Sequence, residues 1–120
     1  MRVLGKEEFL ESKDKKPIWV PLPEDLYGND SGFYVRVMSG WERSEIEKLY
    51  INGDPSTDPG GFRGRILVNT IVDEDGIPIF QTDDIKQLMD KNAGTIEILF
   101  EKSCELNGLT KKDVERLEKN

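Results

Sequence analysis

The acidic residues are the first candidates for chemistry in this chain, because carboxylate oxygens are the preferred ligands of Ca²⁺ and Mg²⁺. Residues 73–76 (DEDG) have the composition of a calcium-binding loop. An EF-hand frame with Gly76 at position 6 places Ile71 at position 1 and Thr82 at position 12. Neither residue carries a carboxylate, so the EF-hand frame fails and an acidic turn is the better interpretation.

A second acidic group follows within ten residues of the turn. Asp83 and Asp84 could join Asp73 and Asp75 in a divalent-cation cluster if the fold brought the four together. The same residues are also explained by a solvated turn and by acidic side chains at the positive end of a helix dipole. We favour the second interpretation and expect no bound metal.

Residues suited to nucleophilic or acid–base catalysis are scarce. The chain has no histidine, which excludes Ser-His-Asp and Cys-His sites. Cys104, the single cysteine, falls on an apolar helical stripe and is better explained as a small buried hydrophobe. Residues 60–65 (GGFRGR) lack the Gly-Lys-Ser/Thr ending of a phosphate-binding loop. We therefore predict that the protein is not an enzyme and needs no cofactor.

The overall composition limits the kinds of partner. The 120 residues include 17 basic and 24 acidic side chains, for a net charge of −7, which argues against non-specific binding of nucleic acid. Hydrophobic residues make up 36% of the chain, a small supply for a core, so self-association or a partner-bound state is consistent with the sequence. No apolar run is long enough to cross a bilayer. A single cysteine fits a reducing, cytosolic environment.

The first third of the chain predicts a helix followed by a β-hairpin. Residues 6–12 suit a short helix, and residues 13–16 (KDKK) are a polar connector. Residues 17–22 (PIWVPL) suit an edge strand, since their prolines cannot donate to a sheet. Residues 33–38 (FYVRVM) alternate as a strand does, and residues 23–32 carry turn signals. We predict that the two strands pair as a hairpin over residues 17–38.

Residues 39–120 are predicted to be mostly helical. Ser39 and Glu42 have the spacing of a capping box that begins a helix. Residues 52–61 (NGDPSTDPGG) predict a mobile surface loop. Residues 62–72 suit a strand by composition and a helix by spacing, and we take them as a helix.

The last forty residues predict three more helices with defined ends. Thr82 is the expected N-cap of the first, Gly108 is the expected C-terminal stop of the second, and Thr110 with Asp113 is a capping box for the third. Two apolar faces occur at helical spacing, made by Ile85, Leu88 and Met89 and by Ile96, Leu99, Phe100 and Cys104. The predicted fold is α+β and mostly α-helical, with a small N-terminal hairpin followed by about four to five short helices in one domain over residues 1–120.

Several short runs resemble the tail assembly chaperones of long-tailed (siphovirus-type) bacteriophages and prophages. These runs are GKEEFL at 5–10, YVRVMSG at 34–40, VDEDG at 72–76, DDI at 83–85 and LNGLT at 106–110. Each run is short, and their order and spacing together carry the resemblance. It extends over nearly the whole chain.

The resemblance implies a binding function without catalysis. Such a protein binds the tape measure protein, keeps that long helical chain soluble and helps the major tail tube protein to polymerise around it. The resemblance also implies a location in the host cytoplasm and absence from the mature virion. Two alternatives remain open: another phage morphogenesis protein, such as a head–tail adaptor, and an acidic interaction module that binds divalent cations. We expect neither nucleic acid nor a membrane as a partner.

The predicted contacts with a partner lie at the ends of the apolar stripes. They are Phe80, Ile85, Leu88, Met89, Leu99 and Phe100. The alternative interpretation is that these residues form the core, and we favour it for most of them. Trp19 and Trp41 are either anchors for a partner or core residues, since tryptophan suits both roles.

Overall fold

The computed structural model describes residues 1–54 and 60–119. Within these ranges the strands are β1 (Ile18–Pro21), β2 (Gly32–Val35) and β3 (Ile71–Val72). The helices are α1 (Lys6–Leu10), α2 (Glu24–Tyr27), α3 (Gly40–Ile51), α4 (Gly61–Thr70), α5 (Ile85–Met89), α6 (Ala93–Leu106) and α7 (Lys111–Glu118). The prediction of an α+β, mostly helical fold is confirmed. Part of the predicted loop at 52–61 lies outside the described residues, because it includes 55–59.

The small sheet is antiparallel and has the order β1-β2-β3. The predicted hairpin is confirmed, with Trp19 opposite Tyr34. The third strand was not predicted. Its Val72 pairs with Tyr34 on one side and bridges to Pro78 on the other. Residues after the acidic turn therefore return alongside the sheet.

The outer edge of β1 offers few hydrogen-bond donors. The Leu22 N–H donates to the Ser31 carbonyl at 2.9 Å, which fixes the alternation along the strand. Residues 17, 19 and 21 accordingly direct their backbone groups away from β2. Because Pro17 and Pro21 have no N–H, Trp19 supplies the one outward donor among residues 17–21. Prolines at such an edge limit the addition of a further strand.

The prediction of a helix over residues 62–72 is right for residues 62–70 and wrong for residues 71 and 72, which form a strand. Helix α4 covers most of this stretch and ends at Thr70, and Ile71–Val72 then forms β3. The Thr70 hydroxyl bonds the Ile66 carbonyl at 2.7 Å and the Ser103 hydroxyl at 2.9 Å. The change from helix to strand thus occurs at a buried polar contact with α6.

Three of the four predicted helix ends are confirmed. Glu42 N–H donates to the Ser39 hydroxyl at 3.2 Å, and the Glu42 carboxylate accepts from Ser39 N–H at 2.9 Å. Thr110 and Asp113 make the equivalent pair of bonds before α7. Gly108 has a φ of 65°, the left-handed conformation that suits glycine after a helix.

The prediction that Thr82 caps a helix is wrong. Thr82 is the first residue of a 3-10 turn over Thr82–Asp84 that precedes α5. Its hydroxyl oxygen lies 3.3 Å from the Arg65 guanidinium, so it is engaged elsewhere. The Asp84 carboxylate, at the end of the 3-10 turn, accepts from the N–H of Gln81, the residue before that turn, at 2.8 Å.

One hydrophobic cluster joins the sheet to α3–α7. Its most buried large side chains include Leu67, Ile71, Ile85 and Leu99. Residues 1–16 contribute nothing to it: each is exposed, and α1 has no buried residue. The N-terminal arm, defined here as residues 1–16, therefore gains no stability from the core.

Candidate partner-binding groove

An open cleft lies between the hairpin and helices α5 and α6. Its volume is about 530 Å³, within the range of ligand-binding clefts. This apolar groove is lined by Leu22, Tyr27, Gly32, Phe33, Ile79, Phe80, Leu88, Ile96 and Leu99, with Ser31, Asp84, Gln87, Lys91 and Thr95 at polar positions. Most of its wall is hydrocarbon, which favours binding of apolar groups.

One wall of the groove is aromatic. Phe33 of β2 and Phe80 make an edge-to-face contact with ring centroids 5.7 Å apart, a preferred arrangement for aromatic pairs. Phe80 is held there because the bridge between Val72 and Pro78 and the bond from Ile79 N–H to Ile71 carbonyl keep its segment beside β3. The chain after the acidic turn thereby forms part of the groove wall.

Two hydroxyls in the lining of the groove contact each other. The Tyr27 hydroxyl lies 2.8 Å from the Thr95 hydroxyl. Tyr27 belongs to α2, a helix within residues 23–32 where turn signals predict a loop, whereas Thr95 is in the first turn of α6. Thr95 N–H is itself bonded to the Asn92 side chain at 3.1 Å. The hairpin connection is thus fixed to α6 by a bond between residues 68 positions apart.

Some polar groups at the groove are hydrogen-bonded within the protein, and others are exposed at the surface. The Asp84 carboxylate accepts the Gln81 N–H, and Thr95 bonds Tyr27. Gln87 and Lys91 are exposed at the surface. An occupant therefore meets an apolar wall with a few polar groups available at the rim, which suits the apolar side chains of a polypeptide.

Three of the six predicted partner contacts line this groove, namely Phe80, Leu88 and Leu99. Phe80 is half-buried, whereas Leu88 and Leu99 are buried and form its floor. Their role in binding a partner remains a prediction. Tyr27 and Phe33 also line the groove, but nothing in the sequence indicates it, since Tyr27 lies among turn signals and Phe33 in an ordinary strand pattern.

The other three predicted contacts lie away from the groove. Ile85 is fully buried, and Met89 is half-buried beside it. Both pack close to the backbone of α4, since a Cβ built on Gly64 would lie 2.5 Å from Ile85 Cγ2 and 3.5 Å from Met89 Cγ. Phe100 is buried beneath the Arg63 guanidinium, which lies 4.4 Å from the ring centroid. These positions are those of core residues.

The acidic residues bond to the backbone around them. Asp73 Oδ1 accepts the N–H groups of Asp75 at 2.8 Å and Ile77 at 3.0 Å, which stabilises the turn. Within residues 1–54 and 60–119, no group of three or more Cys, Asp or Glu side chains is arranged to hold a metal ion. Cation binding by the acidic turn remains an alternative hypothesis without a site to assign to it.

Cys104 and the tryptophans have contrasting environments. Burial raises the pKa of the Cys104 thiol to about 11, which leaves it protonated at neutral pH and a poor nucleophile. Trp41 is 83% exposed on α3. Trp19 is also exposed and makes an edge contact with Tyr34 at 5.1 Å between centroids. Neither tryptophan is a core residue.

No helix among the described residues combines the length and the apolar character needed to cross a membrane. Comparisons with models of protein families, with curated proteins and with solved structures found no match for this chain. The apolar groove and the short sequence runs are the features of this chain that bear on its function.

Proposed function

We propose that this protein is a phage tail assembly chaperone that binds the tape measure protein in the apolar groove. The groove itself is the observation that supports the proposal most: about 530 Å³ of open, mainly hydrocarbon-lined space on a chain of net charge −7. Bound in this way, the tape measure protein stays soluble until the tail tube protein assembles around it. The complex forms in the host cytoplasm, and the chaperone leaves before the virion is mature.

The physical basis is the recognition of an amphipathic helix in a groove. A helical client presents apolar side chains at positions i, i+3, i+4 and i+7, and a cleft removes them from water. Phe33 and Phe80 provide the broad apolar contact that such side chains need, and Leu88 and Leu99 form the surface beneath.

The acidic surface serves the same function. An apolar client exposed in the cytosol aggregates, and a bound protein of high net charge opposes contact between complexes by repulsion. The chain carries 24 acidic residues among its 120. Binding in the groove and repulsion outside it therefore act together to keep the client in solution.

Co-expression with the tape measure protein of the same genome tests the proposal. Ile79 and Ile77 provide a matched pair, because Ile79 lines the groove and is 44% exposed, whereas Ile77 is 59% exposed outside it. We expect the wild type and Ile77→Asp to keep the tape measure protein soluble and to co-purify with it. Ile79→Asp should lose both effects while keeping the wild-type circular dichroism spectrum.

Two results would contradict the proposal. One is a tape measure protein that aggregates equally with and without the wild-type chain. The other is equal rescue by Ile79→Asp and Ile77→Asp, which would place the binding surface outside the groove. Rings, or binding to the portal in place of the tape measure protein, would instead support a head–tail adaptor.

A further inference from the structure

One face of the α5 segment lies along the apolar groove and carries a charge near each end. Its residues are Asp84, Gln87, Leu88 and Lys91, and all four line the groove. Their spacing of three, four and seven positions places them on one side of a helical backbone. The turn continues to the last of them, because Lys91 N–H donates to the Leu88 carbonyl at 3.1 Å. The groove therefore has a buried leucine between a carboxylate and an ammonium group.

Neither charge belongs to an ion pair within the part of the chain that the structure describes. The Asp84 carboxylate accepts the Gln81 N–H through Oδ2 at 2.8 Å, and Lys91 is exposed at the surface. Charges placed in this way contribute more to the choice and register of a partner than to its affinity. Asp84 and Lys91 are therefore suited to select among apolar helices.

The separation of the two charges matches a repeat of the α-helix. Seven residues that rise 1.5 Å each place Asp84 and Lys91 about 10 Å apart. On a client helix that lies along the groove, side chains at positions i and i+7 have the same separation, and those at i+3 and i+4 lie between them on the same face. We propose that the groove selects amphipathic helices with an acidic residue at i, apolar residues at i+3 and i+4 and a basic residue at i+7. This selection rests on the proposed function, since it specifies which segment of the tape measure protein the groove holds.

The client helix runs antiparallel to α5 in this arrangement. Its acidic residue, at i, pairs with Lys91, and its basic residue, at i+7, pairs with Asp84, while its apolar residues contact Leu88. The opposite order of charges would fit a parallel helix, but acidic groups stabilise a helix near its N-terminus and basic groups near its C-terminus. The acid-first order therefore lets the client satisfy its own dipole and the two charges of the groove together.

Two synthetic peptides of identical composition test this selection. Both are helices of about 15 residues, built from alanine and glutamine, with leucines at i+3 and i+4 and a fluorophore at one end. The first has glutamate at i and lysine at i+7. The second has them at i+2 and i+9, which moves both charges to the face opposite the leucines while their order and separation stay the same. Fluorescence anisotropy with the purified protein measures both dissociation constants, and we expect the first peptide to bind about threefold to tenfold more tightly.

Single substitutions assign each charge to its partner. Lys91→Gln should weaken binding of the first peptide about twofold to fivefold relative to the second. Lys86→Gln removes the same charge from an exposed position on α5 that does not line the groove, and it should leave the ratio of the two dissociation constants unchanged. Replacement of the peptide glutamate by glutamine should abolish the effect of Lys91→Gln and keep that of Asp84→Asn, which retains an oxygen to accept the Gln81 N–H. This pairing determines the direction of the bound helix.

Three results would overturn the selection: equal binding of the two peptides, no binding of either, and equal effects of Lys86→Gln and Lys91→Gln. Ile79→Asp should weaken binding of both peptides, because Ile79 lines the groove. Unchanged binding by this variant would also overturn the selection, since the peptides would then bind elsewhere. None of these results contradicts binding of the tape measure protein, because its solubility in co-expression is a separate measurement.

Discussion

Asn107 Oδ1 accepts a hydrogen bond from the Met38 N–H at 2.7 Å, although the two residues are 69 positions apart. The amide nitrogen of the same side chain donates to the Arg36 carbonyl at 3.3 Å and to the Ser103 carbonyl at 2.8 Å. The Asn107 carbonyl accepts from Arg43 at 2.9 Å. One residue after α6 thereby joins the end of the sheet to the start of α3.

Replacement of Asn107 should destabilise the fold. Asn107→Ala removes three side-chain bonds and leaves the Met38 N–H without that partner, so we expect the free energy of unfolding to fall by roughly 1–3 kcal/mol. Urea unfolding followed by circular dichroism measures the change. Asn29→Ala, at an exposed position in the hairpin connection, is the control and should lie within about 0.5 kcal/mol of the wild type. Equal losses in both variants would contradict the role assigned to Asn107.

Glu42 should make the stability depend on acid pH. Hydrogen bonds from Arg36, at 2.9 and 2.5 Å, hold the pKa of the Glu42 carboxyl near 2, below its ordinary 4.5. A lowered pKa stabilises the fold above about pH 4.5, and this contribution disappears as the pH falls towards 2. At pH 7 we expect Glu42→Gln to be less stable than the wild type by about 1 kcal/mol, allowing for partial solvent screening.

The difference in the free energy of unfolding between Glu42→Gln and the wild type should disappear as the pH falls from 4.5 to 2. Urea unfolding at several pH values measures it. Glu45→Gln changes a more exposed carboxylate on the same helix and should show a nearly constant difference. If the difference in unfolding free energy between Glu42→Gln and the wild type stays constant down to pH 2, the lowered pKa of Glu42 is refuted.

Gly64 should not accept a methyl group. A Cβ at Gly64 would lie 2.5 Å from Ile85 Cγ2, inside the core, so Gly64→Ala should cost roughly 1–3 kcal/mol by overpacking. Gly40 is the matched control, because it also lies in a helix and a Cβ there meets nothing within 4 Å. Gly40→Ala should be neutral or slightly stabilising, since alanine favours helix. Thermal unfolding of both variants compares them, and a tolerated Gly64→Ala would mean that α4 and α5 can separate.

Cys104 should react slowly with thiol reagents in the folded protein. Burial holds the pKa of its thiol at about 11, so at pH 8 only about one molecule in a thousand carries a thiolate. We expect labelling by a maleimide at pH 8 to be far slower than in urea. Glu11→Cys, exposed in the arm, supplies the reference rate for an accessible thiol. Labelling of Cys104 at that reference rate would show that the core around α6 opens readily.

The helix ends could be predicted because their determinants are local. Ser39 with Glu42 and Thr110 with Asp113 have a spacing that specifies the bonds, and Gly108 has a conformation that other residues avoid. Thr82 misled the prediction because Arg65, which is distant in sequence, engages its hydroxyl. A rule based on neighbouring residues cannot predict a hydrogen bond from a residue that is distant in sequence.

The three-stranded sheet and the groove could not be predicted in full, because they depend on contacts between residues that are distant in sequence. Val72 forms a strand because Tyr34 pairs with it, and no pattern near Val72 announces that partner. Helical spacing identified an apolar face for Ile85 and for Leu99 alike, but spacing is the same for a stripe that faces the core and one that lines a cleft. Tyr27 is held at the groove by its contact with Thr95, 68 residues later, which no local pattern indicates.

Pro17, which precedes β1, and Pro21, at its end, have a consequence for crowded solutions. With Trp19 as the one outward donor among residues 17–21, the strand is a poor template for the stacking of like strands into fibrils. Copies at high local concentration are thus less prone to seed β-aggregates through this edge. Contacts between copies then have to use side chains, and contacts of that kind dissociate more easily than a continuous cross-β ladder.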